Sequence, residues 1–485
     1  MDLIFELPPY IPANAGRPSA QAIYELLRSA ILNGELAAGC RLPPTRLAGQ
    51  RFGLSRSTMV AIYERLAAEE LIDARRGSGT FISLRPDRVQ NPGNRSAKPA
   101  PPAWFVESME RKTGPSSDRS SQIHSRDEIE LRPGFVDPAL FPFDKFRRST
   151  AKALRYMERT PSIHGSEERC QGDHRLRRAI ADHATLMRAM ACSPDDMVIT
   201  SGAQQGLDLL ARTLVEAGNT VVAIEEPRYT PLAEPFAAAG AVIRFVPVDQ
   251  DGMIVDLIPG DAKIICVSPS SQFPLGVAMS ADRRRQLVAF AKERNILLVE
   301  DDYGGELRTG GDPLPTLYSL DPAVTIYVGT FAPCMFPSFR LGYLIAPAWA
   351  VDPLVRAKTH SEWQSSSVIQ AAAASFITDG YLSAHVARMR SLYRDRKSAL
   401  IDAIDGKFGE FLRPLPSSYG LNLSAIGNPA INWKAVSERA RLSGIQVRSC
   451  SQYWEATPRP GLVFGVGVEP EDRLRLAVER LAALI

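Results

Sequence analysis

Two short apolar runs near the middle of the chain most constrain its fold. Residues 296–299 (ILLV) lead into three acids, and residues 325–328 (TIYV) lead into Gly329 and Thr330. Short continuous apolar runs joined by helices or loops are typical of strands buried in a parallel α/β sheet. Chemistry in such sheets lies just beyond the carboxyl ends of the strands. We therefore expect a site there that includes Asp301, Asp302, Tyr303, Thr330 and Arg340.

The same alternation of strand and helix extends to both sides of these runs. We expect strands at 197–200, 220–225, 241–246 and 264–268, helices at 174–190, 370–382 and 384–407, and a small C-terminal subdomain with strands at 421–423, 445–448 and 462–468. The first of these strands is followed by the turn Ser201-Gly202-Ala203-Gln204 and a helix that runs to about residue 217. A glycine turn that opens a helix aims free amides and the helix dipole at one point, which favours an anion.

Residues 17–83 show the pattern of a smaller unit with three helices and a hairpin. Helices are expected at 19–33, 45–52 and 56–69, and Ser55 can cap the third helix by accepting hydrogen bonds from its first free amides. Strands at 71–74 and 80–83 flank a glycine-rich tip with two cations. This is the pattern of a winged helix-turn-helix, whose third helix enters a major groove. That helix is expected to bury Met59, Val60, Tyr63, Leu66 and Ala67.

The start of the third helix carries hydroxyl and guanidinium groups, which bind base edges and phosphates. The alternative is a small protein-interaction domain, because acids nearly balance the arginines across this segment. The arginines, however, precede or begin the third helix, whereas most acids lie at its far end. The pattern therefore favours double-stranded DNA as the partner. The residues expected to contact it are Arg46, Ser55, Arg56, Ser57, Thr58, Arg65, Arg75, Arg76 and Gly77.

Composition limits the class of protein to which the chain can belong, but it does not by itself indicate a function. The chain is 45% hydrophobic and 23% charged with a net charge of +3, so it has the balance of a globular protein, and any basic patch must be local. Its six cysteines are scattered without metal-ligand spacing, which indicates free thiols in a reducing compartment and no metal site. No signal peptide pattern and no apolar run of about 18 residues is present, so we expect a cytoplasmic protein that does not bind a membrane.

Proline and glycine positions suggest the domain limits. Residues 1–16 are expected to form an N-terminal arm, and residues 84–127, rich in Pro, Ser and Arg, are expected to form a linker. The winged helix would occupy 17–83 and the α/β domain 128–485. Within the large domain, residues 134–142 (GFVDPALFP) form an irregular opening before the first helix.

The N-terminal unit resembles the DNA-binding domain of GntR-type regulators. That family has Leu-Pro-Ser-x-Arg, then Phe-Gly-Val-Ser-Arg-x-Thr-Val, and ends in Arg-x-Gly-x-Gly-Thr-Phe-Val. Here residues 42–46 are LPPTR, residues 52–59 are FGLSRSTM and residues 75–82 are RRGSGTFI. One departure is Gly49, which stands where the family has Ala. It is expected to weaken the short helix by up to roughly 1 kcal/mol.

The large domain resembles the fold-type I aminotransferases, in the version fused to the MocR group of GntR regulators. Residues 329–343 (GTFAPCMFPSFRLGY) match the family's Gly-Thr-Phe-Ser-Lys-Thr-Leu-Phe-Pro-Ser-Leu-Arg-Leu-Gly-Tyr without a gap, and Pro333 stands at the lysine that binds pyridoxal phosphate. Ser271 replaces a family histidine. The resemblance implies that Tyr229 stacks on the cofactor ring, Asp301 pairs with its nitrogen and Tyr303 with its hydroxyl. It also implies a phosphate site formed by Gly202, Ala203, Gln204, Thr330 and Arg340.

The loss of the lysine has a direct chemical consequence. Transamination needs an amine that forms the covalent bond to the cofactor and then moves a proton. Proline offers neither function, so we expect no transaminase activity and no covalent cofactor. Two interpretations remain open. The kept residues favour non-covalent binding of pyridoxal phosphate, pyridoxamine phosphate or a preformed cofactor–amino acid adduct, whereas the altered Ala332, Pro333, Cys334 and Ser271 favour a domain that has lost the cofactor.

The resemblances together imply a DNA-binding transcription regulator. The aminotransferase-like domain would sense a small ligand related to pyridoxal phosphate or to amino acids, and would form a homodimer, with a linker that allows a head-to-tail exchange. One alternative is an aminotransferase with a fused DNA-binding domain, which would need an amine at the site. Another is a protein-binding module on an inactive enzyme scaffold, which would require that Arg56 and Arg76 not matter for DNA.

Overall fold

The computed structural model describes residues 19–75, 77–83, 128–160, 170–310, 314–417, 420–455 and 458–485. They belong to two compact units, Met1–Arg111 and Lys112–Ile485. The predicted arm, the predicted linker and Arg76 lie outside the described residues. The division between the two units falls inside the segment expected to be the linker.

The N-terminal unit is a winged helix-turn-helix, as predicted. Its elements are α1 (Ala20–Leu32), α2 (Thr45–Phe52) and α3 (Arg56–Ala68), with an antiparallel sheet in the order β1-β3-β2 made of β1 (Arg41–Leu42), β2 (Ile72–Arg75) and β3 (Gly79–Ile82). Strand β1 was expected to be a loop. Two residues are too few to produce an alternating pattern, so the sequence carries no signal for it.

Local chemistry sets the ends of these helices. The Ser55 hydroxyl accepts a hydrogen bond from the amide of Thr58 at 3.1 Å, which caps α3 as expected. Gly53, with φ 67°, ends α2 in the left-handed conformation that glycine adopts without strain. The face of α3 that packs in the core carries Met59, Ile62, Tyr63 and Leu66. The expectation for the helix was wrong at two positions, because Val60 is half-buried and Ala67 is exposed.

Gly49 has a packing reason that the sequence did not show. A Cβ atom at this position would lie 2.9 Å from the carbonyl oxygen of Leu54, so the turn that follows α2 packs directly on the backbone of the helix. The amide of Leu54 also donates to the carbonyl of Gly49 at 2.9 Å. Glycine has a low helix propensity, but here its lack of a side chain allows the close approach between α2 and the turn that leads into α3.

The C-terminal unit is built around an eight-stranded sheet in the order β5-β12-β11-β10-β9-β6-β7-β8. Most neighbours are parallel, as expected, but β12 is antiparallel to both of its neighbours and β8 is antiparallel to β7. The strands are β5 (Met197–Thr200), β6 (Val221–Glu226), β7 (Val242–Asp249), β8 (Gly252–Met253), β9 (Ala262–Val267), β10 (Leu297–Asp302), β11 (Thr325–Thr330) and β12 (Gly342–Ile345).

Helices cover both faces of this sheet. The helices of this unit are α4 (Phe143–Arg159), α5 (His174–Arg188), α6 (Ala203–Leu214), α7 (Thr230–Ala238), α8 (Ala281–Glu293), α9 (Leu317–Leu320), α10 (Ala348–Ser361), α11 (Ser367–Thr378), α12 (Tyr381–Phe408), α13 (Trp433–Leu442) and α14 (Glu471–Ala482). On one face Val198, Ile224 and Val328 pack with α6, α7 and α10, and on the other Ile265 and Leu298 pack with α8.

A small subdomain closes the chain and also receives the first strand of the large domain. Its antiparallel sheet has the order β13-β14-β17-β16, formed by β13 (Leu412–Pro414), β14 (Asn422–Gly427), β16 (Arg448–Ser449) and β17 (Gly461–Gly465). A separate parallel pair joins β4 (Ile129–Glu130) to β15 (Ile445–Gln446). Residues 131–138, which follow β4, run along the glycine just beyond β17. A Cβ at that residue, Gly467, would lie 1.9 Å from the carbonyl oxygen of Phe135. We call residues 131–138 the opening segment.

The central strands reach further than the sequence suggested. Strand β10 continues through Asp302 and β11 through Thr330. Asp301, Asp302 and Thr330, which were expected beyond the strands, are therefore strand residues. The register pairs Asp302 with Gly329, and Thr330 with Gly342 of β12. Because β12 runs in the opposite direction, its first residue meets the last residues of its neighbours at the same edge of the sheet.

The close approach at Gly49 leads to a stability prediction. Replacing Gly49 with Ala should lower the free energy of unfolding by about 1 kcal/mol or more, because overpacking against the Leu54 carbonyl outweighs the gain in helix propensity. Gly406→Ala is the matched control, since Gly406 also lies inside a helix but has open space around it, and this change should be stabilising. Thermal and urea unfolding of the full chain measure both; a stabilised Gly49→Ala variant would contradict the packing argument.

Candidate functional site

A cavity of about 500 Å³ lies at the edge of the large sheet where the parallel strands end. Asp301 is in β10, Tyr303 follows it, Ser268 follows β9 and Tyr229 lies beyond β6. The opening segment and the turn after β11 complete its wall. The residues that line it are Pro133, Gly134, Phe135, Val136, Pro138, Tyr229, Ser268, Ser271, Phe273, Asp301, Tyr303, Ala332, Phe336, Pro337, Ser338, Arg340, Gly420 and Asn422.

An anion cradle lies at the same edge, at the start of α6. A Cβ at Gly202 would lie 3.0 Å from Nη2 of Arg340, and one at Gly342 would lie 2.9 Å from the amide nitrogen of Ala203. These two glycines therefore let the Arg340 guanidinium and the loop amides occupy one small region. Among the residues that the structure describes, the side chain of Arg340 has no hydrogen-bond or ion-pair partner, and the residue is exposed. A phosphate would supply the missing partner.

Buried polar contacts fix the loop from beneath. The amide of Ser201 donates to the side-chain oxygen of Gln205 at 2.7 Å, and the Gln205 amide group donates to the Glu362 carboxylate at 2.6 Å. The Ser201 hydroxyl donates to the same carboxylate. Burial opposes the charge on Glu362, but these hydrogen bonds outweigh it and lower its pKa. Gln204, expected to contact the phosphate, points its side chain to the carbonyl of Pro231 at 3.3 Å, which leaves its backbone amide for the anion.

Asp301 is the acid of the cavity. Its side chain is only 4% exposed and has no hydrogen-bond partner among the described residues. Burial and the neighbouring Asp302 raise the pKa of Asp301 to about 7. Asp302 differs, because it pairs with Arg188 at 3.0 Å and accepts a hydrogen bond from Tyr327 at 2.6 Å. A buried carboxyl without a partner, at the wall of a cavity, is suited to a ligand group that carries a proton and a positive charge.

The tyrosines predicted for the site also line the cavity. The Tyr303 hydroxyl donates to the carbonyl of Gly134 at 3.4 Å, a long contact that a bound acceptor can replace. Burial raises the pKa of Tyr303, so it stays a hydrogen-bond donor at neutral pH. The Tyr229 ring packs edge-on against Phe273, with ring centroids 5.2 Å apart. Phe273 in turn packs edge-on against Tyr453 of the small subdomain at 5.0 Å, so Tyr229 is held by an aromatic chain.

Pro333 is buried and lies behind the wall rather than on it. It lines two voids of about 10 Å³ each, whereas its neighbour Ala332 lines the large cavity. The closest lysine downstream, Lys358, is fully buried and donates to the carbonyl of Cys170 at 2.7 Å. Lys397 donates to the carbonyl of Gly420 at 3.4 Å from outside the cavity. Among the described residues, no amine therefore lines the cavity.

The structure brings together most, but not all, of the predicted cofactor residues. Tyr229, Asp301, Tyr303 and Arg340 line the cavity, Gly202 lies against Arg340, and the amide of Ala203 lies against Gly342. Thr330 instead accepts a hydrogen bond from the amide of Ala332 at 3.2 Å and lines one of the small voids. No periodic pattern in the sequence marks the part of the wall that faces the predicted cofactor residues, because that part is formed by irregular segments. That wall includes Phe135, Phe273, Phe336 and Asn422.

In the N-terminal unit, the predicted hydroxyl groups form a cluster at the start of α3. The Ser55 oxygen lies 2.8 Å from that of Ser57 and 2.7 Å from that of Thr58. Arg56 is exposed and has no partner among the described residues, and no acid occurs in the first turn of the helix. This helix end therefore presents a cation, hydroxyls and free amides together, which suits phosphates and base edges.

The wing and the far end of α3 differ in their contacts. In the wing, Arg75 stacks over Phe81 at 4.9 Å, and the left-handed Gly77 (φ 77°) forms the exposed tip. Arg65, also expected to contact DNA, lies in the last turn of α3, where its side chain contacts α1 instead. It stacks over Tyr24 at 3.8 Å and donates to Gln21 at 2.9 Å.

Two further arginines of the N-terminal unit concern the predicted contacts with DNA. Arg46 of α2 is exposed, as expected. Arg41 was not predicted as a contact, although a Cβ at Gly79 would lie 2.6 Å from its Nε, so its guanidinium covers the wing strand. The unpredicted strand β1 is what places Arg41 beside the wing.

Two family models match the chain. The model of the bacterial regulatory proteins of the gntR family matches residues 19–82, and the model of the aminotransferases of class I and II matches residues 145–422. The chain is also 32% identical to the probable rhizopine catabolism regulatory protein MocR of Rhizobium meliloti, over 94% of this chain and 92% of that protein. The chain belongs to the MocR-type family of GntR regulators. The predicted family is thus confirmed.

Other comparisons agree with this MocR-type assignment. The chain is 32% identical to the HTH-type pyridoxine biosynthesis transcriptional regulator PdxR of Corynebacterium glutamicum, over 99% of this chain and 98% of that protein. Among solved structures, it is similar to the multiple substrate aminotransferase of Thermococcus profundus, with 25% identity and a TM-score of 0.70 over 79% of this chain and 98% of that one.

One more solved structure shows the same fold. It is LysN, the α-aminoadipate aminotransferase of Thermus thermophilus, in complex with N-(5′-phosphopyridoxyl)-L-leucine. The identity is 21% and the TM-score 0.70, over 79% of this chain and 98% of that one. These likenesses show the fold of an aminotransferase. The relatives named as regulators favour the regulator interpretation over that of a fused aminotransferase.

The described part of this MocR-type chain holds neither a metal-binding cluster nor a membrane-spanning helix. No group of three or more His, Cys, Asp or Glu side chains there is arranged to hold a metal ion. None of the helices in the described ranges is both long and apolar enough to cross a membrane.

The raised pKa of Asp301 predicts a pH effect on stability. Because its pKa is about 7 in the folded protein and 3.8 ordinarily, the unfolded chain loses this proton first, and stability falls as pH rises from about 4 to 7. Asp301→Asn should remove that part of the fall, on the order of 3 kcal/mol between pH 5 and pH 8.

Urea unfolding of the protein without cofactor, at pH 5 and pH 8, measures this difference. Asp182→Asn is the control, because Asp182 is exposed and pairs with Arg178 at the helix surface. Equal losses of stability between the two pH values in Asp301→Asn and the parent protein would show that Asp301 is already ionised at pH 5. Glu225 and Glu300, whose pKa values burial raises to about 8 and about 7, should also lower stability between these pH values in both proteins, so the Asp301 contribution is the difference between the two losses.

Proposed function

We propose that this MocR-type regulator binds an operator through α3 and the wing, and senses a ligand related to pyridoxal phosphate that it holds without a covalent bond. The observation that carries the proposal is a cavity with an anion cradle and a buried, unpartnered carboxyl, but with no amine on its described wall. Such a cavity can bind and orient the cofactor. It lacks the nucleophile that transamination requires.

Each residue of the cavity would have a distinct role in holding the ligand. Arg340 and the backbone amides of the loop that includes Gly202 and Ala203 would bind the phosphate. Asp301 would pair with the protonated ring nitrogen, which would also stabilise the ionised form of that carboxyl. Tyr229 would cover one face of the ring, and Tyr303 would donate to its hydroxyl oxygen. When bound, the cofactor acts as an electron sink, but no group of the described wall is placed to move a proton at its reactive carbon.

The DNA-binding part of the proposal rests on the N-terminal unit. The hydroxyls of Ser55, Ser57 and Thr58 and the guanidinium of Arg56 would enter the major groove with the start of α3. Arg46, Arg75, Arg76 and Gly77 would contact the backbone beside it. Arg65 is omitted from this set because Tyr24 and Gln21 occupy it. These contacts support binding by position and charge, and phosphate contacts give affinity while base contacts give sequence preference.

The assembly and setting follow from the same proposal. A homodimer would present two winged helices to two half-sites of an operator, in an arrangement that the linker allows to be head-to-tail. The small effector would be a cofactor-related molecule, which agrees with a relative named as a regulator of pyridoxine biosynthesis. A protein that binds an operator would act in the cytoplasm.

The assignment of the DNA surface predicts different effects for two arginines of α3. Arg56→Ala should weaken binding to a duplex, selected by the parent protein from a random-sequence pool, by about tenfold or more. Arg65→Ala is the matched control on the same helix and should change the affinity by less than about twofold. Gel-shift titrations at fixed salt measure both. Equal losses in the two variants would contradict the placement of α3 in the groove.

The missing amine predicts non-covalent binding of the cofactor. Titration calorimetry should show that pyridoxamine phosphate and pyridoxal phosphate bind with similar affinity, because neither can form a bond to the protein at this cavity. After treatment with borohydride, the mass of the protein should be unchanged. A mass increase on a lysine peptide of the cavity would overturn the non-covalent assignment, and failure of both compounds to bind would show that the cofactor has been abandoned.

Restoring the amine should restore the covalent bond. In Pro333→Lys, the new amine should condense with the aldehyde of pyridoxal phosphate with loss of water, giving a long-wavelength absorbance and a borohydride-stable mass increase. Ser338→Lys is the control, because it places an amine on an exposed part of the wall further along the connection between β11 and β12. Trapping in both variants to the same extent would indicate unspecific reaction and would count against position 333.

A further inference from the structure

The charged groups of the cavity wall are few. Among the described residues that line it, only Arg340 and Asp301 carry charged side chains. Arg340 lies against the anion cradle, and Asp301 lies at the end of β10. Ser418 and Tyr419, next to Gly420 in the chain, lie outside the described residues and are neutral by sequence. Once the phosphate and the ring nitrogen of a cofactor are paired, the described wall has no charge left to offer.

The rest of the wall is mostly apolar. Its side chains come from the opening segment, from the loop after β9 and from the turn after β11. Asn422 is a neutral exception, and its side-chain oxygen already accepts a hydrogen bond from the amide of Gly134 at 3.3 Å. Ser271 offers a neutral hydroxyl. The apolar part of the wall comprises Phe135, Val136, Pro138, Phe273, Phe336 and Pro337.

Cations close to this region are already engaged or lie elsewhere. Arg132 forms a buried, bidentate pair with Glu130, at 2.9 and 3.1 Å from its Nε, and its guanidinium stacks on Phe135 at 4.5 Å. Arg396 is buried and donates to the carbonyl of Val466 at 3.2 Å. Arg459, just before β17, is exposed and does not line the cavity.

The cavity volume allows a second group beside the cofactor. At about 500 Å³ it lies within the range of roughly 300–1,000 Å³ that holds drug-sized ligands. The second group would lie against Phe135 and Phe336. A carboxylate there would lose its hydration without gaining a cation, which is unfavourable, whereas an alkyl or aryl group would bury apolar surface.

We propose that the cavity takes a cofactor adduct whose second part comes from an apolar amine without a carboxylate, and not from an amino acid. This inference rests on the proposed function, because it assigns the cofactor to the charged end of the same cavity. It narrows the effector to a chemical class, that of alkyl or aryl amines joined to the phosphopyridoxyl group. It also separates this chain from aminotransferases of the same fold, whose substrates carry a carboxylate.

The test uses two stable ligands that differ only in the carboxylate. One is N-(5′-phosphopyridoxyl)-L-leucine, and the other is the corresponding conjugate of 3-methylbutylamine. Both have the secondary amine that borohydride reduction leaves, so no covalent step is involved. Calorimetry with the full chain should show that the conjugate without the carboxylate binds about tenfold or more tightly than the leucine conjugate. Equal binding, or tighter binding of the leucine conjugate, would overturn the proposal.

A wall variant provides an independent measurement of the same preference. Phe135 is 45% exposed, so Phe135→Arg can place a cation at the apolar end without burying it. This change should reduce the preference to less than about threefold by pairing the carboxylate of the leucine conjugate. Leu186→Arg, at a residue that is 77% exposed and outside the cavity, should leave the preference unchanged.

Pyridoxamine phosphate separates this inference from the proposed function. If it does not bind, the cofactor assignment fails and the inference fails with it. If it binds while neither conjugate does, the cavity has no room for a second group, and only the inference is overturned. If it binds and the two conjugates bind equally, the cofactor assignment stands and the class of the second group is wrong.

Discussion

The antiparallel insertion of β12 between β5 and β11 is the constraint on which the site depends. It brings the first residue of β12, Gly342, to the edge where the parallel strands end, so close to the Gly202–Ala203 backbone that Gly342 could not carry a side chain without displacement. Arg340, just before β12, is thereby set against the opening of α6. The sheet topology thus places the helix amides and the guanidinium at one point, where both would act on the same anion.

The sequence predicted the parts of the fold that have a periodic or chemical signature. The bounds of α2, the cap at Ser55 and the acids at the end of β10 are of this kind. It did not predict β12 as a strand, and its direction could not have been predicted either, since a buried apolar strand has the same composition in either orientation. It also missed the two-residue β1, and with it the position of Arg41 beside the wing.

The candidate site was predicted unevenly for a similar reason. Its charged half is encoded in short motifs with fixed spacing, so Asp301 and Arg340 could be named in advance. Its apolar half joins residues far apart in sequence, such as Phe135 and Phe336, and neither the motif that holds Phe336 nor the irregular opening that holds Phe135 shows that the two face one cavity. Thr330, chosen by motif, instead stabilises the turn at Ala332 by accepting a hydrogen bond from its amide.

The opening segment has a mechanical meaning beyond its place in the wall. In chain order it is the first stretch after β4, and β4 is anchored to the small subdomain by its pairing with β15 and by a hydrogen bond from the amide of Glu130 to Glu469 at 2.8 Å. The chain that connects to the DNA-binding unit ends where this anchored stretch begins. A ligand in the cavity would thus lie against backbone that this anchor holds to the small subdomain, and Phe135 belongs to that backbone.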